Sequence, residues 1–136
     1  MAHRILLVDD ELHILRAAEF KLKRHGYDVM CASDGEDAWA RIQVDRPELI
    51  VTDLQMPRLN GLELIERLRA TPEFADMPVV MLTAKGFELS TDETANKLGI
   101  LDVIPKPFSP RELCKRVQMA LEESERRRQF NATTSG

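Results

Sequence analysis

The chain has 136 residues, enough for one domain with a buried core, and its 43% apolar and 31% charged content is ordinary for a globular protein. A net charge of −4 gives no general affinity for nucleic acid, and the longest apolar runs, such as Ile5 to Val8 and Val79 to Leu82, are too short to span a bilayer. The N-terminal MAHR lacks the apolar region of a secretory signal, so a cytoplasmic setting is expected, with Cys31 and Cys114 as free, partly buried thiols.

The first predicted strand, Ile5 to Val8, ends on two carboxylates, Asp9 and Asp10. A helix follows from about Leu12 to His25, with Leu15, Ala18 and Leu22 on one stripe and Gly26 as its stop. The second strand is Tyr27 to Cys31. Ser33 with Glu36 then has the spacing of a capping box, in which a serine caps the helix and a glutamate reaches back. In that helix Trp39 reads as a packing residue. The third strand, Leu49 to Thr52, delivers Asp53, and Met56-Pro57 bars the strand from continuing. A helix starts after Asn60-Gly61 and is ended by Thr71-Pro72. The fourth strand, Val79 to Leu82, runs into Thr83, and Ser90 with Glu93 marks the next helix start. The fifth strand, Asp102 to Ile104, is followed by Pro105, which suits an edge strand, and by Lys106. Ser109 with Glu112, and Pro110 at the first helical position, open the final helix, which carries Leu113, Val117, Ala120 and Leu121 on one face.

Five β/α units in succession, with strands that read as continuous hydrophobics, predict a doubly wound parallel sheet covered on both faces. Residues 1–122 are expected to form the single domain, and 123–136 a helix end with a frayed, disordered tail and no output domain. The Arg126-Arg127-Arg128 run reads as a solvated helix end, and His3, His13 and His25 read as surface residues. Asn131-Ala132-Thr133 matches a glycosylation acceptor that a cytoplasmic protein would not use.

In such a sheet, ligands bind beyond the carboxyl ends of the strands where the strand order reverses; for the order 2-1-3-4-5 this lies between the first and third strands. Asp9, Asp10 and Asp53 would therefore meet at one crevice. Singly, an acidic pair before a helix is a cap and a strand-end aspartate is a turn former. Together, three carboxylates must hold a proton or recruit a cation. Hard oxygens without histidine or cysteine suit Mg²⁺, or Mn²⁺, which leaves room for phosphate oxygens. Thr83 offers a hydroxyl and Lys106 a positive charge at the ends of the fourth and fifth strands, consistent with a phosphate site.

The segments LLVDDE, D-x-x-M-P-x-x-x-G from Asp53 to Gly61, LTA at Leu82 to Ala84 and KPF at Lys106 to Phe108 make the sequence resemble the receiver domain of two-component response regulators, over about Arg4 to Leu121. The resemblance implies a flavodoxin-like, CheY-like fold and a phosphoprotein of phosphorelay signal transduction rather than an enzyme. Asp53 would take a phosphoryl group from a sensor histidine kinase or a histidine phosphotransfer protein, assisting its own phosphorylation and dephosphorylation. Mg²⁺ would be held by Asp10 and Asp53 directly, by Asp9 through water and by the backbone carbonyl of Gln55, while Thr83 and Lys106 contact the phosphoryl oxygens. The signal would reach the surface of the fourth helix, fifth strand and fifth helix, and from there a downstream protein. A monomer or a weak phosphorylation-dependent dimer is implied, with neither direct DNA binding nor membrane association.

Some positions depart from the pattern or stay open. Val103 stands where receivers commonly carry an aromatic residue, so an aromatic rotamer switch is unavailable. Gln55 and Lys85 occupy positions thought to tune phosphoryl lifetime. A haloacid dehalogenase-type phosphatase would need a second aspartate where Gln55 stands. Two alternatives keep the fold: a phosphorylation-independent interaction module, and a receiver excised from a larger hybrid kinase or regulator.

Overall fold

A computed structural model describes residues 3–84 and 96–134, for 131–134 the backbone alone. Five parallel strands, β1 (Arg4–Val8), β2 (Asp28–Ala32), β3 (Leu49–Asp53), β4 (Val79–Thr83) and β5 (Asp102–Pro105), form one sheet in the order β2-β1-β3-β4-β5. The expected order is the one observed. Each strand lies within a residue or two of its sequence-based bounds.

Alternation along each strand divides the core in two. Leu6, Val8, Ile50, Val79 and Met81 pack on one face with helices α2 (Gly35–Val44) and α3 (Gly61–Ala70). Ile5, Leu7, Leu49, Val51, Val80, Leu82 and Ile104 pack on the other with α1 (Leu12–Arg24) and the C-terminal helix (Pro110–Thr134). The stripes Leu15, Ala18, Leu22 and Leu113, Val117, Ala120, Leu121 are buried as their spacing requires. Each large side chain so buried contributes about 1.5–3 kcal/mol of transfer free energy. Cys31 is half-buried and Cys114 buried, both as free thiols, and burial pushes Cys31 up to about 11. Neither is a reactive thiolate at neutral pH.

Two local expectations are corrected. The cap of α2 is Asp34, whose carboxylate accepts the Asp37 N–H at 2.8 Å, and not Ser33. The helix expected after Asn60-Gly61 is opened by a full capping box of Asn60 and Glu63. The C-terminal helix continues to Thr134 where a frayed tail was expected, its exposed turns laced by Glu123 with Arg126 and Arg127. Ser109 accepts the Glu112 N–H at 3.0 Å, as its capping role requires. The Ser90–Glu93 helix start and Lys85 lie outside the described residues. Among the described residues no helix is long and apolar enough to cross a membrane.

Candidate functional site

Register brings the strand ends together. Val8 pairs with Thr52, Asp53 with Leu82, and Thr83 with Pro105, so Asp9, Asp53, Thr83 and Lys106 occupy one edge of the sheet. Asp9 is 2% exposed, Asp53 6% and Thr83 2%, a burial that carboxylates rarely have unless they are paired. Asp10 is exposed, yet one carboxylate oxygen each from Asp9, Asp10 and Asp53 lie within 4.8 Å of one another. At that separation and an effective dielectric near 20, two unit charges repel by roughly 3–4 kcal/mol.

Lys106 is the internal counter-charge. Its Nζ lies 2.9 Å from Asp9 Oδ2, 3.3 Å from Asp53 Oδ2 and 3.2 Å from Glu11 Oε1. Burial alone would lower its pKa; contact with Asp9 and the charges of Asp9 and Asp53, with Glu11 behind them, outweigh that and push it up to about 12. Asp53 moves the other way from a usual carboxylate. Burial first, then the Asp9 charge, push it up to about 6, against the pull of Lys106 and the Leu54 N–H. One ammonium thus contacts two buried acids, and its single positive charge cannot neutralise both.

The oxygens divide into held and available ones. Asp9 Oδ1 accepts the Glu11 N–H and Asp53 Oδ1 the Leu54 N–H, both at 2.9 Å. Asp9 Oδ2 is fully buried, with the Lys106 ammonium 2.9 Å away as its counter-charge. An all-oxygen cluster of three carboxylates, whose charge one ammonium does not offset, fits a hard divalent cation such as Mg²⁺. Gln55 is exposed in the loop that leaves Asp53, and Val103 packs half-buried against the α2–α3 side of the core.

That loop is pinned at several points. Gly61 N–H donates to Leu54 O at 2.8 Å, and Met56 is buried. A side chain at Gly61 would collide with the Asp53 carbonyl oxygen, which accounts for the glycine of the D-x-x-M-P-x-x-x-G segment. Arg58 adopts φ +69°, uncommon for a residue with a side chain, and its Nη2 lies 2.6 Å from Oδ2 of buried Asp34. The Asp37 N–H and then the Arg58 guanidinium hold the Asp34 carboxyl below its usual range. Beside it, Gly35 sits so close to the Leu59 carbonyl that any Cβ would overlap it. Sequence reasoning missed Glu11 as a Lys106 partner, although it stands inside LLVDDE, and missed the Asp34–Arg58 pair, which spans 24 positions and has no local signal.

Fold and crevice together define a doubly wound α/β protein with an acid cluster and a lysine at its switch point. The response regulator receiver domain matches residues 5–118, and the chain belongs to this family, a component of two-component signalling. It is 43% identical over 126 residues to the alkaline phosphatase synthesis transcriptional regulatory protein PhoP of Bacillus subtilis, covering 92% of this chain and 51% of PhoP. It is 39% identical to the probable transcriptional regulator ycf27 of Cyanophora paradoxa, over 98% of this chain and 54% of that protein. The chain therefore spans about half the length of both relatives. The chemotaxis response regulator CheY4 of Vibrio cholerae superposes with a TM-score of 0.82 at 29% identity, covering 88% of this chain and 99% of that one. NtrX from Brucella abortus gives 0.85 at 32% identity, covering 98% of this chain and 30% of NtrX.

Proposed function

We propose that Asp53 is the phosphoacceptor of this receiver, charged by the phosphohistidine of a sensor histidine kinase or a histidine phosphotransfer protein. The observation that carries the reading is the convergence of Asp9, Asp10 and Asp53 on one crevice with Lys106 across it. An Asp53 oxygen attacks phosphorus as the P–O bond forms; the P–N bond breaks and its electron pair returns to the imidazole nitrogen. Little covalent chemistry is asked of the protein, so positioning and charge compensation carry the rate. The strand end and the Leu54 N–H hold the nucleophile, and Lys106, 3.3 Å from Oδ2, is placed to follow the charge. The Thr83 hydroxyl stands one strand away to donate to a phosphoryl oxygen. Asp10 and Asp53, Asp9 through water and the Gln55 carbonyl would hold Mg²⁺, or Mn²⁺, which when bound offsets carboxylate and phosphoryl charge. The chain is a phosphoacceptor that assists its own phosphorylation and dephosphorylation rather than an enzyme with turnover on others.

New charge at Asp53 would draw Thr83 and Lys106 toward it and bias β5 and the C-terminal helix between two states. With Val103 packed into the core, the change travels by backbone and loop movement. The expected recipient is a partner protein, in the cytoplasm. Transcriptional regulation, named for the two relatives, is the process to which such a partner would connect.

Intact mass after incubation with Mg²⁺ and a small phosphodonor tests this. Wild type is expected to gain one phosphoryl group, with none in Asp53→Asn or without metal. Absence of the adduct, with no spectral response to beryllofluoride, would establish a phosphorylation-independent interaction module instead.

A further inference from the structure

A cavity of about 560 Å³ lies at the opposite edge of the sheet from Asp53, where the C-terminal helix passes beside the segments entering β3 and β4. Its walls carry Arg46, Arg69, Arg127 and Arg128 against Glu48 and Asp76. Four guanidiniums against two carboxylates leave an excess of two positive charges, in a chain whose own net charge is −4.

The carboxylates offset this charge only in part. Glu48 is engaged by His3 at 2.5 Å and by the Arg4 N–H, and interacts with Arg128 only at a distance. Asp76 is exposed and acts on Arg69 only at a distance. Among the described residues Arg46, Arg69 and Arg128 form no ion pair within 4.0 Å, and Arg127 pairs with Glu123 on its own helix. Arg69 is half-buried, its Nε donating to Leu98 O at 2.6 Å and its Nη1 to Ala75 O and Met77 O at 3.0 and 2.8 Å. Those carbonyls orient the guanidinium without cancelling its charge, and burial pulls its pKa down. Arg46 is likewise fixed, stacked 5.6 Å over Phe74 and donating to Glu73 O.

Arg69 keeps its Nη2 donors, and with Arg46, Arg127 and Arg128 around the same concave, positive space it is suited to receiving phosphate oxygens, in a volume that is that of a small-ligand site. We propose that this cavity binds a small, multiply charged phosphate anion of the pyrophosphate class, at a site separate from the acid crevice. A free small anion is favoured over a nucleic-acid backbone because the charges line a cavity rather than a broad open face.

Calorimetric titration with inorganic pyrophosphate, in metal-free buffer at fixed ionic strength, tests the assignment. Saturable one-to-one binding is expected for wild type and for Asp53→Asn alike. The paired change Arg46→Gln with Arg128→Gln should weaken it at least tenfold while thermal melts stay unchanged. Arg127→Gln with Arg128→Gln serves as a second pair if the first unfolds. No saturation in wild type, or equal affinity in a folded paired variant, would overturn the proposal. So would loss of binding in Asp53→Asn, which would place the anion in the crevice, or tighter competition by a short DNA duplex than by pyrophosphate. Phosphorylation at Asp53 plays no part in these outcomes.

Discussion

At the scale of single residues, the site is organised by one shortage. Asp9 and Asp53 are both buried and share a single ammonium, Lys106. The consequence is a titration with a definite sign in the metal-free protein. Asp53 has a folded pKa of about 6 against an ordinary 3.8, so between these values the folded state holds more proton than the unfolded chain. Its contribution to stability is fully present below pH 3.8 and is lost as pH rises through 6. Asp53→Asn is therefore expected to be more stable than wild type at pH 8 by about 1–3 kcal/mol, with the gap closing below pH 4. Urea unfolding at the two pH values measures it. A wild type more stable than Asp53→Asn at pH 8 would mean that the Lys106 pairing outweighs desolvation.

At the scale of elements, the loop from β3 to α3 matters more than its irregular backbone suggests. It holds its shape by clamping onto the start of α2, through Arg58 on Asp34 and Leu59 against Gly35. Gly35→Ala forces Leu59 outward, and because the neighbour struck is backbone the overlap cannot be relieved by a rotamer change. A loss of about 1–3 kcal/mol is expected in chemical denaturation. In the folded fraction, slower gain of phosphoryl mass is expected, since Gln55 sits on the displaced loop. Unchanged stability would show that the loop moves freely. Helix caps taught a related lesson: Ser33 and Asp34 are both good caps, and burial of Asp34 beside Arg58 decided between neighbours one residue apart.

At the scale of the whole molecule, the sheet has two chemically opposite ends. The carboxyl edge is acidic and gathers Asp9, Asp10 and Asp53; the other edge carries the arginine-lined cavity. A cation that binds only the folded crevice stabilises the whole fold by mass action. Mg²⁺ at a hundred times its Kd is expected to add about 2.7 kcal/mol to the unfolding free energy. Asp10→Ala should abolish most of that gain, and because Asp10 is exposed the metal-free fold should be little altered. An equal Mg²⁺ effect in Asp10→Ala would place the cation elsewhere.

The sequence by itself determined the strands, the helix stripes and the strand-end acids. Those features rest on local periodicity and on the switch-point rule, which needs only strand order. The helix through Thr134 escaped it, because polar residues after Glu123 resemble a tail until their ion pairs are seen. Only the tertiary structure decided that Asp9 and Asp53 share Lys106, that Glu11 joins it, that Asp34 holds Arg58, and that arginines 46, 69, 127 and 128 line one cavity. Each is a relation of burial and distance between residues far apart in the chain, and neither quantity exists until the chain has folded.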